Sequence, residues 1–264
     1  MQSTRKQKTA AFLSFAFMGA ATANAHMPYV LPTIFDVGKA DHITVESSFG
    51  EDAFVPEVSM RDAPFHLVGP DGKPVAAGSV VYLRDLSVFE ADTKTDGTYR
   101  VTTGQRFGRK GKMFQKNGAW VMGGEQGEPQ PGAKEVDVQS ATLAEAYVTK
   151  GAPSQAALKP TGKALEIQAV TPPNSITAGT EAEFVLLFEG KPLSGVELTL
   201  FRSAGFYDGR KVAAQVKSDA AGRFKLKPED AGTYLILVRH RGEAPAGAET
   251  PFRSYTYTLA FDAA

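Results

Sequence analysis

Short apolar runs with strand periodicity, each closed by a turn signal, constrain this chain more than any other feature. Alternating or continuously apolar stretches fall at 42–49, 80–83, 98–102, 183–188, 196–201, 223–226, 233–239 and 254–261. Between them stand Pro70-Asp71-Gly72, Asp96-Gly97, Lys116-Asn117-Gly118, Asp208-Gly209 and Ala221-Gly222, which reverse a chain rather than continue it. Only 141–149 could be helical, and it is short. The pattern predicts an all-β protein built from β-sandwiches of immunoglobulin-like or prealbumin-like type.

A weak internal echo points to two such sandwiches. Gly72-Lys73-Pro74-Val75 returns as Gly190-Lys191-Pro192-Leu193, and Asp96-Gly97-Thr98-Tyr99 as Asp230-Ala231-Gly232-Thr233-Tyr234. The second has the form of a tyrosine corner, in which the phenol bonds back to nearby backbone. Gly, Pro, Ser and Ala crowd together at 151–163, where periodicity fails, so this stretch is read as a linker between domains at 26–150 and 164–264. Lys112 to Val121 reads as a hairpin turning at Asn117-Gly118, with Trp120, the one tryptophan, packed on it.

Residues 1–25 have the build of a secretory leader. Arg5, Lys6 and Lys8 supply a basic start, 10–20 is apolar but shorter than the roughly 20 residues needed to span a bilayer, and Ala23-Asn24-Ala25 is a small-x-small cleavage pattern. The expectation is an exported, periplasmic protein without a membrane anchor. Its 29 basic and 29 acidic side chains balance, and loss of the leader, which holds three of the basic ones and no acid, leaves a net charge of about −3. Together with the lack of a lone basic block, this argues against nucleic acid as a partner. The chain has no cysteine, so disulfides and thiolate ligands are excluded.

Cleavage after Ala25 makes His26 the N-terminus, with a free α-amine and an imidazole on one residue. This pair can clamp a transition metal, and a second imidazole would complete the three-nitrogen histidine brace suited to Cu(II). His240, at a strand end, is the first internal partner, followed by His42 and His66, the remaining histidines. Met27 offers a thioether beside the terminus, or else packs Pro28 and Leu31 onto the first sheet. Glu51, Asp52 and Glu57 could add an oxygen ligand for a harder ion such as Ni(II) or Co(II). A second small-x-small site, Ala21-Thr22-Ala23, would leave Asn24-Ala25-His26 in front, whose amine, two backbone nitrogens and one imidazole form a square-planar site. No Gly-x-Ser-x-Gly, His-Glu-x-x-His, P-loop or dinucleotide fingerprint occurs, so no catalytic residue is assigned.

Several segments together carry a resemblance. Ala25-His26-Met27-Pro28-Tyr29-Val30-Leu31-Pro32, Phe49-Gly50-Glu51-Asp52-Ala53-Phe54-Val55-Pro56, Gly190-Lys191-Pro192-Leu193-Ser194-Gly195-Val196, Arg239-His240-Arg241 and Tyr255-Thr256-Tyr257-Thr258-Leu259-Ala260-Phe261 resemble domain-of-unknown-function family 4198, grouped with the NikM-like periplasmic components of nickel and cobalt uptake. The resemblance implies a periplasmic, two-part β protein that handles a transition metal. In a nickel-site pattern histidine follows an N-terminal methionine, whereas here His26 precedes Met27. The expected function is therefore an exported metal-binding protein for uptake or handling, with copper ahead of nickel or cobalt and a membrane metal transporter or outer-membrane receptor as partner. The alternatives are a histidine-brace copper oxidase or monooxygenase, and a structural β-sandwich interaction module.

Overall fold

The computed structural model describes residues 26–116, 118–123, 129 and 131–264; the leader and both of its cleavage sites lie outside them. Three sheets account for the strands, numbered here in chain order. The first sheet has the order β1 (Met27–Pro32), β2 (His42–Gly50), β7 (Ser87–Asp92), β6 (Val81–Tyr82), with β3 (Val58–Ser59) on β2. The central sheet runs β16 (Val212–Lys217), β15 (Glu197–Arg202), β18 (Gly232–Glu243), β19 (Phe252–Ala263), β11 (Glu135–Lys150), β8 (Gly97–Thr102), β4 (His66–Val68), β5 (Pro74–Ala76). On this sheet β9 (Arg106–Lys116) also pairs with β11, and β10 (Ala119–Met122) pairs with β9. The third sheet has β13 (Ala182–Phe188) between β12 (Leu165–Ala169) on one side and β14 (Lys191–Pro192) and β17 (Arg223–Leu226) on the other.

The outer sheets cover opposite faces of the central one, so the protein is two β-sandwiches that share a layer. Side chains alternate across a strand, and along β18 Tyr234, Ile236 and Val238 enter one core while Leu235 and Leu237 enter the other. Along β11, Ala141 and Tyr147 join the third sheet's core, and Ala144, Ala146 and Val148 the first sheet's. Burial on both faces explains why 234–238 reads as an unbroken apolar run. The joint between the halves is a parallel ladder of β11 on β19, from Val138 opposite Phe252 to Ala146 opposite Ala260.

The stretch 141–149, read as the helical candidate, lies wholly within β11. Nine residues are too few to offset the cost of a helix nucleus, and pairing on both edges prevails over the propensity of its alanines. Those alanines have a packing role instead. Ala144, Ala146 and Ala260 leave room for β1 to approach, and Thr258 Oγ1 donates to the Pro28 carbonyl at 2.7 Å. The 151–163 stretch contains a short 3-10 turn whose Ala157 and Leu158 are buried. The hairpin forms, with Lys116 opposite Ala119 and Gly118 at φ 80; Asn117 itself lies outside the described residues. Trp120 packs on Phe252, ring centroids 5.5 Å apart.

Both echoed turns close tyrosine corners. Tyr234 Oη donates to the Asp230 carbonyl at 2.7 Å, and Tyr99 Oη to the Thr95 carbonyl at 2.7 Å. Gly232 and Gly97 enter these corners at φ 138 and 136, backbone that a side chain rarely adopts. Beside the second corner, Arg202 reaches Asp208 Oδ2 and Asp230 Oδ2, each at 2.8 Å, and Arg210 also contacts both carboxylates. The Arg202 hydrogen bond first, and the Arg210 backbone N–H next, hold the Asp208 carboxyl down at about 2. A depressed carboxyl stabilises the fold above its unfolded value of about 3.9 and loses that contribution as pH falls through the folded value. The gap in urea midpoint between wild type and Asp208→Asn should therefore be full at pH 6 and close between about pH 4 and pH 2.

Candidate metal centre

β1 and β2 form an antiparallel ladder with Met27 opposite Gly50 and Pro28 opposite Phe49, which sets His26 beside Glu51. On the other edge of β2, Val58 of β3 lies opposite Phe49. The intervening loop, 50–57, must bring Glu57 back to the end of β2. It does so with Val55 N–H donating to Asp52 O at 3.2 Å, Phe54 at φ 63, and Glu57 N–H donating to Phe49 O at 3.0 Å. Glu57 Oε1 accepts the Glu51 N–H at 3.0 Å, while its Oε2 lies 3.0 Å from His26 Nε2.

The result is an imidazole and two carboxylates whose ligand atoms all lie within 4.8 Å of one another. Donors about 2.0–2.2 Å from a tetrahedral ion stand about 3.3–3.6 Å apart. An ion bound here would replace the His26–Glu57 contact. The His26 and Glu57 side chains are 43% and 38% exposed, so an ion can enter from solvent. Asp52 serves the loop differently: its Oδ1 pairs with Lys211 Nζ at 2.7 Å and ties the loop to the other half of the molecule. Phe54 packs edge-on against Tyr29 at 5.5 Å.

The other residues considered as ligands are not brought to this cluster. His240 projects from β18 to the face covered by the third sheet, where its ring meets Phe188 at 4.6 Å. Burial lowers its pKa. His42, at the far end of β2, stands about 26 Å of strand from Gly50 at roughly 3.3 Å per residue. It pairs with Asp41 at 3.1 Å, and that hydrogen bond raises its pKa. His66 Nδ1–H donates to the Pro64 carbonyl at 2.8 Å, on a strand that pairs with β8. Met27 is 4% exposed and packs into the core of the first sandwich, its side chain turned to the opposite face from its neighbour His26. The donors that join His26 come instead from the acidic loop, Glu51 and Glu57, whose closeness along the chain is visible in the sequence.

A family model described as "Domain of unknown function (DUF4198)" matches residues 23–242. No curated protein matches the chain. Among solved structures, the D0-D1 domain of intimin is 14% identical, with 90% of this chain and 99% of that one covered at a TM-score of 0.23. Trypsin-activated alpha-2-macroglobulin from Escherichia coli is 12% identical over 93% of this chain and 16% of its own, also at 0.23. The Yersinia pseudotuberculosis adhesin InvE is 12% identical over 89% and 59%, again at 0.23.

Proposed function

Starting from the premise that this chain belongs to the domain-of-unknown-function family DUF4198, we propose that it is an exported, periplasmic protein that binds a divalent transition metal at His26, Glu51 and Glu57. The observation that carries this reading is the convergence of those three donors at one partly exposed point, built by a loop tied down at Asp52. Cleavage after Ala25 would add the α-amine of His26, giving a nitrogen and oxygen set without thioether or thiolate. Such a set binds divalent first-row ions in the order that places Cu(II) above Ni(II) and Ni(II) above Co(II), so selection among them falls to supply. The resemblance to NikM-like components of nickel and cobalt uptake supplies the direction: the metal is cargo, passed to a membrane transporter or received from an outer-membrane receptor.

Calorimetry with Cu(II) and Ni(II), on protein whose mature N-terminus is fixed by intact mass, tests the proposal. One site is expected, weakened at least a hundredfold in His26→Ala and about tenfold in Glu57→Gln. Absence of heat at micromolar protein sinks the metal reading. An unchanged affinity in Glu57→Gln would instead favour the self-contained planar site of a chain cut after Ala23.

A further inference from the structure

At the end of β1 away from His26, the two sandwiches leave a cavity between them. It has a volume of about 250 Å³ and is walled by Phe35, Tyr147, Ile176 and Phe261, with Asp36 and Asp262 also on its lining. An open groove continues from it past Phe35, along Leu31, Pro32 and Ile34, to Glu46. Pro32 stands about 16 Å of strand from Met27 at roughly 3.3 Å per residue, so the cavity is separate from the metal donors.

Backbone hydrogen bonds hold the walls in place. Thr149 N–H donates to the Phe35 carbonyl and Val37 N–H to the Thr149 carbonyl, each at 2.9 Å, which seats 35–37 on the end of β11; Ala264 N–H donates to the Ile176 carbonyl at 3.1 Å. In a pre-formed, mostly apolar cavity the few polar groups choose the ligand. Here those groups are acidic, and no lysine, arginine or histidine lines the cavity or the groove. Asp36 Oδ1 accepts the Gly38 N–H at 3.0 Å and Asp262 Oδ1 the Thr233 hydroxyl at 3.5 Å. Among the described residues, neither these two nor Glu46 has a cation at ion-pair distance. Burial raises the pKa of Asp262 and of Glu46, so each carboxylate lacks solvation that a cation in the cavity would offset. The three carboxylates do not converge on one point as the donors at His26 do, and apolar walls disfavour a hydrated dication.

We propose that this cavity is a second ligand site, for a small primary amine with an apolar body. The body lies against Phe35, Ile176 and Phe261, and the ammonium group meets the half-buried Asp262 and, at the mouth, the exposed Asp36. An ammonium carries three donors that point in different directions, so carboxylates spread along a cavity suit it better than they suit a metal ion. The inference is independent of the metal reading and stands or falls apart from it.

Calorimetry on the whole protein with phenethylamine, hexylamine and cyclohexylamine, each beside the alcohol of the same shape, tests this. At least one amine should bind about tenfold or more tighter than its alcohol, and phenylacetate should not bind. Asp262→Asn should weaken the amine about tenfold and leave the alcohol within about twofold. Asp36→Asn should act the same way by a smaller factor, since Asp36 is exposed. The urea midpoint of Asp262→Asn at neutral pH should equal or exceed that of wild type, because the change removes a partly buried charge that has no counter-ion. Three results overturn the inference: amine and alcohol binding alike, amine affinity unchanged in both variants, or no heat from any of the amines at millimolar concentration. Calcium that binds and excludes the amine would overturn it too, since the carboxylates would then hold a metal.

Discussion

Arg100→Met should destabilise the protein by about 3–5 kcal/mol, the cost of leaving a buried carboxylate without its cation. Arg100 and Glu145 are 6% and 4% exposed, on neighbouring strands β8 and β11 of the central sheet, and both face the third sheet's core. Their closest approach, Arg100 Nε to Glu145 Oε1, is 3.6 Å, an ion pair too long to be a hydrogen bond. Tyr257 Oη donates to Glu145 Oε2 at 2.7 Å, and Arg100 Nη1 donates to the Lys159 carbonyl at 3.3 Å. Burial disfavours the Arg100 charge, but Glu145, Tyr147, Tyr257 and Glu166 together more than offset it, so the guanidinium stays charged. Burial first, and Glu145 next, push the Tyr257 hydroxyl far up, which keeps it a donor. Removing Arg100 leaves Glu145 with one hydrogen bond in an apolar layer and also frees the 151–163 segment from its hold on Lys159. In Arg100→Met/Glu145→Leu, which removes both charges, at least half of the loss should return. Urea midpoints at constant slope measure both values; a single-variant cost under about 1 kcal/mol would mean that water already reaches the pair.

What the sequence shows of this fold is what neighbouring residues decide among themselves. The tyrosine corner at Asp230 to Tyr234 is legible because glycine, turn and phenol lie within five residues, and the Lys112 to Val121 hairpin is legible for the same reason. The parallel ladder that joins the halves is not, because Val138 and Phe252 are brought together across more than a hundred residues with no local mark on either. Face assignment fails for a related cause. Where a strand is buried on one side, alternation tells which residues point inward; β18 is buried on both sides, so nothing in Tyr234-Leu235-Ile236-Leu237-Val238 tells which way His240 will face. His240 looks like a partner for His26 because the strand signal ends at Arg239 and makes it a strand end, whereas β18 continues to Glu243. Arg100 and Glu145 are hidden for another reason: Glu145 lies in the 141–149 stretch that reads as helical, and the third sheet that buries both comes from strands distant in sequence. The acidic loop is the exception. Glu51, Asp52 and Glu57 are close along the chain, so their grouping is visible, and only their separate places, two beside His26 and one on Lys211, needed the structure.

Gly50→Ala should cost the candidate site about ten- to a hundredfold in nickel affinity without touching a ligand. A Cβ on Gly50 would stand 2.0 Å from the Val55 carbonyl oxygen and 3.1 Å from that of Asp52. Both obstacles are backbone, so no side chain can rotate away; the loop has to move. Its conformation is fixed by the Val55–Asp52 hydrogen bond, by Phe54 in the left-handed region, and by the Asp52–Lys211 pair. Displacing it shifts Glu51 and Glu57 together relative to His26, which stays on β1, and support residues that position metal ligands typically carry losses of this size. The forced repacking should also lower stability by about 1–3 kcal/mol. Gly111→Ala is the matched control, since a Cβ there meets only Met122 Cε at 3.7 Å, an ordinary contact, and it should change neither quantity. A Gly50→Ala protein that is destabilised yet binds nickel like wild type would show that the carboxylates of this loop do not hold the ion.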